Sequence, residues 1–223
     1  MFMGNDIGFR VFKNVERVSA DVLEAFRGIP ASTIADQMGR LYCTDSSIKA
    51  FNKTPLLGSA FTVKVPQGDN LMIHYALELA EPGDVLVIDG EGDLSHSLLG
   101  EIMVTYARQK KIAGVVVNGC IRDSDALSKL TDFSVYAMGV TPQGPYKNGP
   151  GEINVPVCCG GVAVLPGDLL AGDQDGIVVI RRDDAPGLIE GARKKFASEE
   201  EMLRTGVIKR DWVRKAFENI PVY

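Results

Sequence analysis

The chain has 223 residues, of which 45% are hydrophobic and 24% are charged, and these proportions are typical of a globular protein with a sizeable core. With 24 Lys and Arg against 29 Asp and Glu, the net charge is −5, so neither a broad basic surface nor a nucleic-acid partner is expected. Apolar runs are much shorter than the roughly 18 residues of a membrane span, and no secretory signal is recognisable, so a cytoplasmic protein without a membrane partner is expected.

Two helices are predicted near the N-terminus. Residues 14–28 carry apolar side chains at three- to four-residue steps, and Ser19 or Asp21 is the expected cap. Pro30 ends that segment, and a second helix is expected from about Ser32 to Gly39.

Residues 60–130 are predicted to alternate between strands and helices. The predicted strands are residues 60–65, 85–89 and 112–117, and the predicted helices are residues 71–79, 98–110 and 123–130. Residues 90–95 are expected to form a loop, and residues 118–119 are expected to end the third strand. This order predicts parallel strands joined by helical crossovers.

The second half is predicted to be mostly β, followed by helices. The expected strands are residues 135–140, 151–157, 162–164 and 176–180, and the expected helices are residues 186–203 and 211–217. No internal repeat or low-complexity linker separates these parts. We therefore expect a single α/β domain over residues 1–223, with a core at about 30–182 and a helical extension at 186–223.

Cysteine and histidine are too few for a zinc site. The chain has two histidines, His74 and His96, and its four cysteines, none in a CxxC pair, are Cys43, Cys120, Cys158 and Cys159. We expect reduced thiols, and the spacing brings neither histidine to Cys120, so a cysteine nucleophile is disfavoured. A bound metal would be held by carboxylates and water, which favours a hard ion such as Mg²⁺.

The densest group of candidate functional residues is Gly100 and Glu101, followed after 20 residues by Arg122 and Asp123. The first pair begins a predicted helix and the second pair follows a buried strand, and such positions meet in one cleft of a parallel sheet. Helix N–H groups and Arg122 suit a carboxylate or an enolate oxygen, and the two acids suit a hydrated divalent ion. Alternatively, these residues form a solvated turn and a favourable first-turn acid.

Three further segments have two interpretations each. Residues 67–70 line the same cleft or, as favoured, form a turn and a helix cap. Residues 139–151, which include Lys147, form a lid or, as favoured, a long β connection. The acidic run at residues 199–201 forms a solvated helix face or lends one carboxylate to the site of a neighbouring subunit.

The order and spacing of several motifs resemble those of the RraA-like proteins. This family includes the class II 4-hydroxy-4-methyl-2-oxoglutarate/4-carboxy-4-hydroxy-2-oxoadipate aldolases and the regulator of ribonuclease E activity. The matching segments are residues 68–70, 82–87, 100–101, 114–123, 150–157 and 173–179. The resemblance covers about residues 30–182, and the acid followed by 20 residues and Arg-Asp is its specific part.

The resemblance implies a swivelling β/β/α fold that assembles as homotrimers or homohexamers, with sites between subunits. It also implies a pyruvate aldolase that depends on a divalent metal and acts on 4-hydroxy-2-oxo acids such as 4-hydroxy-4-methyl-2-oxoglutarate. Oxaloacetate decarboxylation is the implied side activity, because both reactions pass through the pyruvate enolate. The motif contains no lysine for a Schiff base, which fits the metal route.

By this likeness, Asp123 anchors Mg²⁺ or Mn²⁺, Glu101 acts through metal-bound water, and Arg122 binds substrate and stabilises the enolate. The backbone groups expected to bind the 2-oxo acid belong to Gly100, Glu101, Ile102 and Met103. An acid of a neighbouring subunit is expected near the metal, and Glu200 is the chosen candidate among residues 199–201.

Two positions depart from the family pattern. Glu101 stands where the aldolases often carry Asp, and Asn118 stands where many relatives carry Asp. Regulator-type members lack the acid at position 101, so its presence favours an enzyme. The alternative is a non-catalytic regulator that binds a ribonuclease E-like partner. A methyltransferase is a weaker third interpretation, because no glycine-rich cofactor loop is present.

Overall fold

The computed structural model describes residues 7–218 and 220. Its strands are β1 (Lys49–Ala50), β2 (Leu56–Lys64), β3 (Asp84–Leu99), β4 (Gly114–Ile121), β5 (Ser134–Val140), β6 (Glu152–Ile153), β7 (Val157–Cys159), β8 (Val162–Val164), β9 (Leu169–Asp173) and β10 (Gly176–Ile180). Its helices are α1 (Ala20–Phe26), α2 (Ala31–Gln37), α3 (Leu71–Leu79), α4 (Glu101–Gln109), α5 (Ser124–Leu127), α6 (Ala185–Thr205) and α7 (Asp211–Phe217).

The central sheet has the strand order β1-β5-β4-β3-β2-β9-β10, and β6 pairs with β2. The strands β2, β3, β4 and β5 are parallel neighbours, whereas β9 pairs with β2 and β10 in antiparallel fashion. Helices α3, α4 and α5 make the crossovers between the parallel strands. The predicted α/β class and the predicted crossovers are therefore confirmed.

The predicted loop at residues 90–95 is wrong, because β3 continues through it as a 16-residue strand. The register between β3 and β4 shifts after Asp89, after Asp93 and after Ser97. Bulges of this kind need turn-like backbone, and Glu91 and Gly92 both have positive φ. The sequence therefore has turn residues here although pairing resumes beyond them. Likewise, β4 continues past residues 118–119.

Several boundaries also differ. The first helix begins at Ala20 rather than at residue 14, and Ser19 caps it by accepting a hydrogen bond from the Val22 N–H. The fourth helix begins at Glu101 rather than at residue 98, since the two leucines before Gly100 belong to β3. The helix predicted at 123–130 is the single turn α5.

The β-rich half also differs in detail. The strand predicted at residues 151–157 is two short strands, β6 and β7. The strand β9 is not predicted, because turn signals on both sides leave only three residues between them. The helices predicted at 71–79 and 211–217 are α3 and α7.

The sheet is covered on both faces. On one face, α3, α4 and α5 pack on a cluster that includes Phe61, Leu86 and Phe133. On the other face, the β7–β8 hairpin covers a cluster that includes Val87 and Tyr136. A third cluster joins α1, α2 and α6 to β9 and β10.

The helical C-terminal part is only partly packed against the rest. Helix α6 contacts α1 and α2, and Ala185 and Ala192 are its buried residues. Helix α7 buries no residue, and Trp212 on it is 68% exposed. None of the helices formed by residues 7–218 is long and apolar enough to cross a bilayer.

The buried amide of Asn52 joins the end of α5 to the start of β5. Its Nδ2 donates to the carbonyl oxygens of Leu127 (3.2 Å) and Phe133 (2.8 Å). Because Asn52→Ala leaves both carbonyls without this donor, we expect the free energy of unfolding to fall by about 1–3 kcal/mol in urea denaturation. Lys53→Ala, at the exposed next position, is the control. Equal stabilities for the two variants would contradict this prediction.

Candidate active site

The ends of β3 and β4 bring the two halves of the predicted motif together. These strands pair up to their last residues, where Leu99 lies opposite Ile121. The N–H of Arg122 then donates to the carbonyl oxygen of Leu99 at 3.0 Å. Gly100 and Arg122 therefore leave the sheet side by side, as the sequence predicts.

The carboxylate of Asp123 occupies the N-terminus of α4. Its Oδ2 accepts a hydrogen bond from the Glu101 N–H at 2.9 Å and lies 3.8 Å from Nε of Arg122. Asp123 has φ 59° and ψ 36°, a left-handed conformation that Asp tolerates better than most residues do. The helix dipole and the guanidinium both favour the negative charge at this position.

Gly100 is required for space rather than for backbone freedom. Its φ is −148°, which any residue adopts. A Cβ atom on Gly100 would lie 2.4 Å from Oδ2 of Asp123 and 2.7 Å from Cγ of Arg122. The side chains of Asp123 and Arg122 therefore pack directly over this glycine.

Two cavities meet at Arg122. The first, which we call the Asp123 cavity, has a volume of about 390 Å³ and is lined by Arg122, Asp123, Ser124, Val140, Thr141 and Pro142. The second, which we call the Lys147 cavity, has a volume of about 240 Å³. Its lining includes Asn70, His74, Ser97, Gly100, Ile102, Met103, Arg122, Gly144 and Lys147. Arg122, whose side chain is 44% exposed, thus borders both cavities.

The Lys147 cavity is electropositive. Arg122 and Lys147 are in its wall, and no Asp or Glu is among its described lining residues. The first N–H groups of a helix have no partner within that helix, and Ile102 and Met103 in the first turn of α4 line the cavity. Partial desolvation and the charge of Lys147 lower the pKa of His74, which favours the neutral form of this imidazole. An anion with more than one carboxylate suits such a cavity.

The segment that carries Lys147 is tied to the turn before α3. The Tyr146 N–H donates to the Gly68 carbonyl oxygen (2.7 Å), and the Asn148 N–H donates to Oδ2 of Asp69 (2.6 Å). Ser97 also donates twice to the carbonyl oxygen of Gln143. These bonds favour the fixed connection over the lid for residues 139–151.

Both interpretations of residues 67–70 hold in part. Asp69 is structural, because its Oδ1 accepts from the Leu71 N–H at 2.9 Å at the start of α3. Asn70 makes no side-chain cap bond and instead lines the Lys147 cavity. His74, one turn later on α3, was not a predicted site residue. His74 follows Asn70 by four residues, a spacing that places two residues on the same helix face, and this is the sequence signal that could have identified it.

Apart from Asp123, the acidic residues predicted to belong to the site do not line either cavity. Glu101 contributes its N–H, whereas its exposed side chain lines neither cavity. In the acidic run, Glu199 accepts hydrogen bonds from Thr33 and Lys195, and Glu201 pairs with Arg204. Glu200 is exposed. No residue of the run lines either cavity of its own chain, so the role assigned to Glu200 of a neighbouring subunit stays a prediction.

The residues at Asp123 fit a hydrated hard cation rather than a closed metal cage. Over residues 7–218 no three His, Cys, Asp or Glu side chains are grouped closely enough to hold a metal ion. Mg²⁺ usually keeps several waters and needs only one or two protein carboxylates. Asp123 is about 42% exposed, and only its Oδ2 caps α4, so its other oxygen is available to such an ion.

Cys120 is not placed to act as a nucleophile. It is buried, its Sγ donates to the carbonyl oxygen of Leu94 (3.7 Å), and burial together with Asp93 raises the pKa of its thiol. His96 is held by Asp93 at 2.7 Å instead of pairing with the thiol. These contacts agree with the expectation from the sequence.

Comparison with known proteins identifies the family. An RraA-like family described as Aldolase/RraA matches residues 20–179, which is more than half of the chain. The chain belongs to the RraA-like family. A protein of Halalkalibacterium halodurans named "Putative 4-hydroxy-4-methyl-2-oxoglutarate aldolase" is 40% identical over 187 residues, which cover 83% of this chain and 89% of that protein.

Solved structures agree with this family. The RNA-processing inhibitor RraA from Thermus thermophilis has a TM-score of 0.63 and 32% identity, covering 68% of this chain and 92% of that one. Streptomyces coelicolor RraAS2, described as an unusual member of the RNase ES inhibitor RraA protein family, has a TM-score of 0.74 and 28% identity. That match covers 86% of this chain and all of the other. The predicted RraA-like α/β fold is thereby confirmed.

Gly100→Ala tests whether this glycine holds the site together. The added Cβ must displace the Asp123 carboxylate, which is the acceptor for the Glu101 N–H. We expect the Glu101 amide to exchange with deuterium at least about tenfold faster, as NMR would show. Gly187→Ala is the matched control, because a Cβ atom added at Gly187 would meet nothing within 4 Å. Unchanged exchange at Glu101 would contradict this prediction.

Proposed function

We propose that this RraA-like protein is a divalent-metal-dependent lyase of the class II pyruvate aldolase type. Its substrates are 4-hydroxy-2-oxo acids such as 4-hydroxy-4-methyl-2-oxoglutarate, and oxaloacetate decarboxylation is a side activity. The name of the Halalkalibacterium halodurans relative supports this substrate class. The observation that carries the proposal is the convergence of Arg122, Asp123 and the N-terminus of α4 on two adjoining cavities.

The reaction needs a place for negative charge. In the cleavage, the proton of the 4-hydroxyl group passes to water at the site, and the C4–O bond becomes a carbonyl as the C3–C4 bond breaks. The C4 fragment leaves as a second oxo acid, and the electron pair of the broken bond moves to the 2-oxo oxygen to give the pyruvate enolate. Protonation of that enolate at C3 then yields pyruvate. In oxaloacetate the same bond breaks to release CO₂ and leaves the same enolate. One site therefore suffices for both reactions.

The chain supplies the groups that stabilise this charge. The guanidinium of Arg122 binds the 2-oxo oxygen and stabilises the enolate. The backbone N–H groups of Gly100, Ile102 and Met103, which line the Lys147 cavity, bind the substrate carboxylate. The N–H of Glu101, which the sequence also assigns to the substrate, is instead donated to Asp123. Asp123 would hold Mg²⁺ or Mn²⁺, and Glu101 and Glu200 of a neighbouring copy would act on it through water. When bound, such an ion acts as a Lewis acid toward the oxo acid.

A second carboxylate of the substrate fits Lys147. The cavity has Arg122 and Lys147 in its wall and no described acid to compete with the substrate. In an oxo acid with two carboxylates, the 2-oxo acid end meets Arg122 and the start of α4, and the second carboxylate meets Lys147. This charge pattern supports dicarboxylic substrates over those with a single carboxylate.

The proposed site also includes a neighbouring copy of the chain. We propose homotrimers or homohexamers in which a neighbouring copy adds an acid, because one chain places no acid of the run 199–201 at Asp123. Ile102 beside the site is 81% exposed, which suits a surface covered by another copy. Light scattering of the purified chain measures the assembly.

Asp123→Ala tests the metal anchor. We expect kcat/KM for 4-hydroxy-4-methyl-2-oxoglutarate and for oxaloacetate to fall at least about 100-fold, because charge stabilisation at the reacting oxygen is lost. Asp125→Ala is the matched control, since Asp125 is an exposed acid two residues away on α5. Pyruvate release by the wild-type chain should also stop with EDTA and return with Mg²⁺ or Mn²⁺. Near-normal rates in Asp123→Ala would exclude Asp123 as the anchor.

Lys147→Ala tests the recognition of the second carboxylate. We expect KM for 4-hydroxy-4-methyl-2-oxoglutarate to rise about tenfold with a smaller change in kcat, because a charge-assisted bond to the substrate is lost. For 4-hydroxy-2-oxopentanoate, which has one carboxylate, KM should stay nearly constant. Lys147→Arg should recover most of the affinity. Equal effects on both substrates would contradict a role for Lys147 in recognising the second carboxylate.

A second candidate function is non-catalytic regulation of a ribonuclease E-like partner. It is favoured by the likeness to the Thermus thermophilis RNA-processing inhibitor. Capture of such a ribonuclease by a chain that leaves both 4-hydroxy-4-methyl-2-oxoglutarate and oxaloacetate unchanged in the presence of Mg²⁺ would support this alternative and overturn the aldolase.

A further inference from the structure

The side chain of Asp69 joins α3 to the segment that carries Lys147. Asp69 is buried, with 4% of its surface exposed. Its Oδ1 accepts a hydrogen bond from the Leu71 N–H at 2.9 Å at the start of α3, and its Oδ2 accepts one from the Asn148 N–H at 2.6 Å. One carboxylate therefore binds the backbone of the helix that carries His74 and the backbone of the residue that follows Lys147.

The start of α3 alone does not require a carboxylate at position 69. An Asn or Ser side chain also accepts the N–H two residues later in such a turn. A buried carboxylate costs free energy unless its oxygens are paired. A carboxylate is needed at this position because two N–H groups are accepted at once, and the second of them belongs to the segment after β5.

Lys147 lies between two anchored residues. On one side, Tyr146 donates its N–H to the Gly68 carbonyl oxygen (2.7 Å), and its own carbonyl oxygen accepts from the Asn70 N–H (3.0 Å). On the other side, the Asn148 N–H makes the bond described above. Among the residues that the structure describes, no side chain pairs with the ammonium group of Lys147. The backbone bonds at positions 146 and 148 therefore fix where this cation enters the cavity wall.

We propose that Asp69 is a positioning residue that gives the Lys147 cavity its preference for ligands with two carboxylates. Asp69 does not line the cavity and acts through the backbone of Asn148, which keeps Lys147 in place for the second carboxylate. A cation held in place before binding loses less conformational entropy when the ligand arrives. This inference rests on the proposed function, in which Arg122 and the start of α4 bind the 2-oxo acid end and Lys147 binds the other.

Asp69→Asn removes one of the two bonds and keeps the shape of the side chain. An amide has a single accepting oxygen, and the turn to Leu71, two residues away, is the bond that Asn retains. We therefore expect the Asn148 amide to exchange with deuterium at least about tenfold faster, as NMR would show. Loss of a negative charge alone would tighten the binding of any anion, so weaker binding reports the position of Lys147.

The binding experiment compares two five-carbon oxo acids that differ in the second carboxylate. In calorimetric titrations with Mg²⁺, we expect Kd for 2-oxoglutarate to rise about three- to tenfold in Asp69→Asn and Kd for 2-oxopentanoate to change less than about twofold. KM for 4-hydroxy-4-methyl-2-oxoglutarate should rise by a similar factor with little change in kcat. Asp69→Ser should give the same pattern and replaces Asp69→Asn if that variant folds poorly.

Two further variants separate positioning from a general structural effect. Asp173→Asn is the matched control, because its carboxylate also accepts two backbone N–H groups, from Ala31 (2.8 Å) and Asp175 (2.9 Å), and lines neither cavity. It should leave both dissociation constants unchanged. Adding Asp69→Asn to Lys147→Ala should not weaken 2-oxoglutarate binding further, since the positioning acts through the side chain that is already removed.

The outcomes distinguish this inference from the proposed function. Equal weakening of both ligands, unchanged or tighter binding of 2-oxoglutarate in Asp69→Asn, or a further loss in the double variant would overturn the inference while leaving the aldolase intact. A wild-type chain that binds both ligands equally would overturn the role of Lys147 and this inference with it. The expected pattern of binding in a chain that turns over neither 4-hydroxy-4-methyl-2-oxoglutarate nor oxaloacetate would overturn the aldolase, and the role of Asp69 would stand.

Discussion

The pairing of β3 with β4 up to Leu99 and Ile121 is the constraint on which the candidate site depends. The two strands reach this point only through three register shifts, which absorb the extra residues of β3. Without those bulges, β3 would end near Asp89 and α4 would begin elsewhere. The irregular part of the sheet therefore positions Gly100 beside Arg122, in keeping with the frequent use of bulges next to functional sites.

The carboxylate of Asp123 adds a negative charge at the point where the ends of β3 and β4 meet. Gly100 has no side chain with which to cap α4, and the carboxylate of Asp123 supplies that cap from the following crossover. The carboxylate of Asp123 thus stabilises the N-terminus of α4 while its side chain stays partly exposed in the Asp123 cavity. The same chain adds no cluster of further acids within its described residues. A site of this kind gains a firmly held cation only when substrate, water or another copy completes it.

The sequence predicted the crossovers and the motif because strand ends and helix starts follow from local patterns. The loop predicted at residues 90–95 is wrong because a bulged strand and a loop use the same turn residues, here Glu91 and Gly92. His74 and Lys147 were not predicted as site residues because tertiary contacts bring α3 and the connection after β5 to the motif. Those contacts run through Gly68, Asp69 and Tyr146 and have no local signature.

Departures from local rules cluster at this site. Gly100 begins a helix without a capping side chain of its own, Asp123 has positive φ, and the buried Oδ1 of Asn70 has no hydrogen-bond partner among the described residues. Each of them costs stability on its own, and such costs persist where function maintains them. The first two place a carboxylate and a guanidinium over one helix start.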